Sequence, residues 1–192
     1  MFQKVVRCLV LLVLLPLVAG AFGCAGKYTG GGSIPSTAAE SKAGATFGFN
    51  LEGVDGNNDG MIDIATEYDP VEGFYFGWMV GKGQFNYNDH GAGVRFHADF
   101  DASYTSNPNG ITDQIYVRFD EHFNITALLW IGTYTSRAGS GVVMVAVTAN
   151  GDWLDNLDDT IEVTLYGGPY AGYHNSGTVQ NGNIQWHPAK SK

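Results

Sequence analysis

Cysteine is almost missing from this chain: there are two in 192 residues, Cys8 and Cys24. If the segment holding Cys8 is removed, no internal disulfide is left to brace the fold, and stability has to come from a core or a bound ion. Basic residues are also few, ten Lys and Arg against nineteen Asp and Glu, for a net charge of −9. Such a surface repels polyphosphate, so nucleic acid is excluded as a partner. No window carries a sustained helical period, which argues against a helical or α/β architecture. The motifs of common catalytic sites are missing as well: no G-x-S-x-G elbow, no H-E-x-x-H, no phosphate loop and no dinucleotide fingerprint. The five histidines are scattered without metal-ligand spacing. His97, beside Arg95 and Asp99, reads as a surface pair rather than a base. Enzymatic activity is therefore not expected.

What is present begins with an export signal. Lys4 and Arg7 precede an apolar run from Cys8 to Val18, followed by small residues up to Gly23. This is the three-part layout of a secretory leader. The uncharged run from Cys8 to Gly23 has 16 residues and includes Pro16, short of the ~20 needed to span a bilayer. Ala21-Phe22-Gly23-Cys24 resembles the lipobox of bacterial lipoproteins, which implies cleavage before Cys24, acylation of its thiol and an extracytoplasmic, membrane-anchored protein of a bacterium. Two or more acyl chains on one residue anchor stably where one would not. Loss of residues 1–23 removes Lys4 and Arg7 but no carboxylate, leaving a net charge of −11.

Residues 24–43 are rich in Gly, Ser, Thr, Ala and Lys, the composition of a flexible tether. A single domain is expected over 44–192, a length that supports one core. Strands are expected at 45–50, 73–79, 83–89, 93–99, 114–120, 127–134, 141–149, 160–166 and 183–187, each a short alternating run bounded by Gly, Asn or Asp. In 93–99 the alternation places Val94, Phe96 and Ala98 on one face and Arg95, His97 and Asp99 on the other. With 27 glycines and 13% aromatic residues, the pattern predicts an all-β antiparallel β-sandwich, with a partly closed β-barrel as the alternative. An acidic insertion is expected at 51–72.

The blocks GGGSI (30–34), ATFGF (45–49), GQFNYNDH (83–90), GVRFH (93–97), DDTIEVTL (158–165) and YHNSGTVQNGNIQWH (173–187) resemble, in order and spacing, the post-COAP domain. That resemblance implies a β-rich extracellular module without assigned catalytic residues.

Within the insertion, Asp55, Asn57, Asp59 and Asp63 stand at loop positions 1, 3, 5 and 9, with Gly60 at position 6 and the Met61 carbonyl at 7. This spacing resembles the calcium loop of EF-hands and dockerin-like segments. A hard cation wants 6–8 oxygens, and alternate side chains on a tight turn supply them. Thr66 stands at position 12 where a bidentate glutamate is usual; Glu67, one place on, is the candidate to complete the shell. Calcium is therefore the expected cofactor. Asp152, Asp155, Asp158 and Asp159 form a second acidic group, read as a solvated turn. Trp130, inside a continuous apolar run, is expected in the core. Trp153, Tyr170 and Tyr173 fall in loops and are the candidates for a ligand platform. The expected role is a lipid-anchored surface or scaffold module of the cell envelope, with carbohydrate binding or an envelope protein partner as the alternatives.

Overall fold

The computed structural model describes residues 26–38, 43–53, 64–69, 74–102, 113–119, 125–148 and 158–187. Twelve strands occur in chain order: β1 (Lys27–Pro35), β2 (Gly44–Gly53), β3 (Ile64–Asp69), β4 (Phe74–Met79), β5 (Gly81–Asp89), β6 (Val94–Ala102), β7 (Gln114–Phe119), β8 (Ile125–Ser136), β9 (Gly139–Thr148), β10 (Thr160–Tyr166), β11 (His174–Thr178) and β12 (Gln180–His187). One 3-10 turn, Gly168–Tyr170, is the only helical element among the described residues.

All twelve strands belong to one antiparallel sheet, ordered β11-β10-β9-β8-β6-β5-β2-β1-β12. The all-β expectation holds, and of its two variants the pairing follows the partly closed barrel. Only Val179 separates β11 from β12. The first of these pairs with β10 and the second with β1, so together they act as one stave that joins the two ends of the sheet. Counted this way, the ring has eight staves, a size at which side chains fill the interior. Along one edge β8 runs with β9; along the other, its last residues pair with β6 and its first with β7. From that fork, β7, β4 and β3 form a three-stranded extension.

The interior is aromatic. Tyr28, Phe47, Phe49, Phe85, Tyr87, Phe96, Phe100, Trp130 and Tyr134 are all buried, with Val143, Val145, Val147, Ile161, Val163 and Leu165 across from them. Trp130 sits at the centre, edge-on to Phe49 at 4.9 Å and stacked on Phe100 at 5.5 Å, as the sequence predicts. In β6, Val94, Phe96 and Ala98 turn inward, as their alternation requires.

One expectation is corrected here. Residues 27–35, inside the stretch read as a tether, are a ring strand hydrogen-bonded to neighbours on both edges. Tyr28 and Ile34 carry its inward face and are fully buried. The glycines that gave a linker-like composition are a packing requirement. A Cβ on Gly30 would lie 2.4 Å from the Phe49 ring, and one on Gly32 would lie 2.7 Å from Val179. The domain therefore includes β1, and the expected insertion at 51–72 contains the end of β2 and all of β3.

Candidate functional site

Of the residues singled out from the sequence, only some fall among the described residues. Cys24, Asp55, Asn57, Asp59, Met61, Asp63 and Trp153 lie outside the described residues. Glu67 is in β3, opposite Phe76. Beside the expected calcium loop, Gly53, two residues before Asp55, sits against Gly81, and Ile64, at loop position 10, is already paired in β3 against Met79. Among the described residues, no group of three His, Cys, Asp or Glu side chains is placed to hold a metal. Asp159, expected in a solvated turn, is instead a joint. Its carboxylate accepts from the Ile184 amide at 2.8 Å and its carbonyl from the Val179 amide at 2.8 Å, pinning the β11–β12 stave.

Tyr170 and Tyr173 are both partly buried, each packed against the core. Tyr170 stacks on Tyr134 at 6.1 Å, and both pack against the core. Tyr173 joins a buried polar network around Asp89, a residue with 0% exposure. The Asp89 carboxylate accepts from Ser36 Oγ, the Gly91 and Ala92 amides (3.0 Å each), the Thr37 amide (3.3 Å) and hydroxyl (3.4 Å), and Tyr173 Oη (2.7 Å). Because an ionised carboxylate can only accept, Tyr173 spends its single proton there. Tyr87 Oη, 2.7 Å away, must then donate to Tyr173, and Asn175 Nδ2 donates to Tyr87 at 2.8 Å and to the Pro35 carbonyl at 3.1 Å. The direction of every proton in the chain is thus fixed. Burial opposes ionisation of Asp89, but the bonds from Ser36, Ala92, Tyr173 and Thr37 outweigh it and hold its carboxyl below the ordinary range. Burial, together with the Tyr87 and Asp89 contacts, pushes the Tyr173 phenol well above its own. With every partner accounted for, the network is a lock that joins β1, β5, β6 and β11.

The exposed counterpart is the outer face of β12, β1, β2, β5, β6 and β8. Register places three polar rows across these strands. One is Gln185, Thr29, Asn50, Gln84, Asp99 and Thr133. Beside it run Asn183, Gly31, Gly48, Asn86, His97 and Thr135. The third is Ser33, Thr46, Asn88 and Arg95. At the end of the barrel where β1 starts, His187, Lys27, Glu52, Lys82 and Asp101 form a row of alternating charge. Several of these side chains are held by one bond each. Asn50 Oδ1 accepts from the Gln84 amide at 3.1 Å, Asn86 Oδ1 lies 2.9 Å from His97 Nδ1, and His97 Nε2 lies 3.1 Å from Asp99 Oδ1. The surface pairing expected of His97 is therefore present.

Clefts interrupt this face among the described residues. One of about 340 Å³ is lined by Lys27, Asn50, Glu52, Lys82, Gln84 and Asp99 among others. A shallower one, about 180 Å³, opens over Gly48 between Thr46, Asn86, Asn88 and Arg95. Asp113 stands just before β7, where its carboxylate accepts from the Asp101 amide of β6 at 2.9 Å. Burial, with the Asp101 and Asp99 charges nearby, raises its carboxyl above the usual range despite that bond. Sequence reasoning missed this face because each strand contributes only two to four polar residues. The array exists only once register aligns six strands.

No known protein family matches the chain, and neither do the curated proteins or solved structures with which it was compared.

Proposed function

We propose that the chain is a lipid-anchored surface module of a bacterial envelope, whose barrel is held close to the membrane and displays its polar outer face. The observation that carries this reading is the position of β1. Its first residue, Lys27, follows Cys24 by three positions and is paired on both edges, with Glu52 and His187. Three extended residues reach about 10 Å at most. An acyl group on Cys24 would therefore seat the row of alternating charge at the lipid surface, with no long spacer between. The sequence blocks that resemble the post-COAP domain fall on β1, β2, β5, β6, β10, β11 and β12, all ring staves. That placement supports reading the ring as the module and β3, β4 and β7 as its elaboration.

In the bacterial host, the full-length protein should partition into the detergent phase with an acylated N-terminal cysteine detectable by mass. Cys24→Ala should move it to the aqueous phase or leave it uncleaved, while the melting temperature of the soluble domain stays the same. A wild-type protein that is aqueous and carries no acyl mass overturns the anchor.

Calcium remains part of the proposal, supported by the D-x-N-x-D-G spacing. An ion held at 100 times its dissociation constant stabilises the fold by about 2.7 kcal/mol. Chelator should lower the melting temperature by several degrees, and Asp59→Ala should abolish the difference. Identical melts with and without chelator would falsify it.

A further inference from the structure

We infer that the outer face of β1, β2, β5 and β6 is a binding site for a neutral, polyhydroxylated polymer, that is, a glycan chain. Its chemistry is that of vicinal hydroxyl recognition. Each sugar hydroxyl both donates and accepts, and so does the primary amide, which offers two N–H donors and a carbonyl. Asn50, Gln84, Asn86 and Asn88 form a connected group of such amides across two neighbouring strands. Flanking them, Thr46 and Thr29 add hydroxyls, and Asp99 and Arg95 add one charge of each sign. A face that is close to electrically balanced and rich in two-way hydrogen-bonding groups favours an uncharged ligand over nucleic acid or an acidic lipid surface.

The geometry adds preorganisation. Asn50 spends its carbonyl on the Gln84 amide, and Asn86 is bonded through one end of its side-chain amide to His97 Nδ1, which fixes each amide plane and leaves the other end available. Groups fixed before binding lose less entropy when the ligand arrives. Laterally the rows repeat every 4.7–4.9 Å or so, the strand spacing, which is close to the length of one hexose unit. A chain crossing the strands along the Thr29, Asn50, Gln84 and Asp99 row would thus meet a polar side chain at each step. Gly48 supplies the depth: a Cβ there would have nothing within 4 Å, so the hollow above it is open down to the backbone. The larger cleft begins one row away, at Asn50 and Gln84, and at about 340 Å³ it lies at the lower end of the range for small-molecule sites.

Gly48 also gives a clean test, since a large side chain there fills the hollow without meeting the core. The intact folded protein is passed over insoluble cellulose, xylan, chitin and peptidoglycan sacculi, and retention is measured at low salt and again at high salt. Wild type should be retained on at least one matrix at both salt concentrations. Gly48→Trp should bind at least about tenfold more weakly with an unchanged melting temperature, and Asn86→Ala should weaken binding by a similar factor, the scale of one or two lost hydrogen bonds. Thr164→Ala, on β10, should change nothing. Absence of retention on every matrix, retention that vanishes at high salt, or Gly48→Trp binding as wild type does would each overturn the proposal. None of these outcomes bears on the Cys24 anchor, which is read separately by acyl mass.

Discussion

Asp89→Ala is expected to destabilise the barrel by about 3–5 kcal/mol, the loss seen when one member of a buried, charge-assisted network is removed. For a domain of this size that lowers the melting temperature by roughly 6–20 °C. The magnitude follows from what is left behind. Six donors from three segments converge on the carboxylate: Ser36 and Thr37 after β1, Gly91 and Ala92 in the β5–β6 turn, and Tyr173 before β11. With alanine they lose their acceptor while the surrounding structure stays closed. Asp89→Asn keeps the shape but turns an N–H₂ group toward donors, so it should fall between wild type and alanine. The pH dependence has a definite sign. The folded-state pKa is depressed, so this stabilisation is fully present above the unfolded value near 3.9 and is lost as pH falls through the lower folded value. The stability gap between wild type and Asp89→Asn should therefore be constant from pH 7 down to about pH 5 and narrow below about pH 4. Equal melts of the two proteins at pH 7 would show that the carboxylate holds nothing together.

Gly30→Val should cost about 3 kcal/mol, the upper part of the range for overpacking a filled core. A Cβ alone meets Phe49 at 2.4 and 2.6 Å and Ile184 at 2.9 Å, and valine adds two methyls at the same place. Phe49 cannot retreat freely, since Trp130 packs edge-on against it. Gly31→Ala, one residue along and facing outward, meets only the Phe47 carbonyl oxygen at 3.4 Å and the Gly48 Cα at 3.8 Å, and should change stability by less than about 1 kcal/mol. Denaturant titration of both variants distinguishes a strand from a tether. Were residues 27–35 a linker, the two substitutions would be equally silent.

That contrast shows what the sequence conveys and what it withholds. The nine strands expected from alternating apolar residues all occur, because each carries enough large side chains to mark its buried face. β1, β3 and β11 were not legible in the same way. In β1 the inward positions between Tyr28 and Ile34 are glycines, whose small size is dictated by Phe49 on β2 and by Val179 between β11 and β12. β11 reads HNSGT, and its one buried residue, Asn175, is held inside by hydrogen bonds to Tyr87 and Pro35 rather than by an apolar side chain. Loop position alone could not separate a displayed Tyr173 from one committed to Asp89, since its partner lies 84 residues away. The outer polar face has the same origin, as its rows join residues from six strands with no local pattern. The sandwich-or-barrel alternative turned on Val179, the single residue through which β11 passes into β12.

That shared stave has a kinetic meaning. The ring closes only when residues 180–187 reach β1, and the contact between Thr29 and His187 spans 158 residues. Pairings so distant in sequence form slowly, because the whole intervening chain must be ordered first. A ribosome- or translocon-bound chain lacking β12 has β1 paired on one edge only and cannot complete the barrel. If residues 1–23 act as the export leader proposed above, this delay is useful: the chain would stay threadable until it had crossed the membrane, and folding would be completed on the far side.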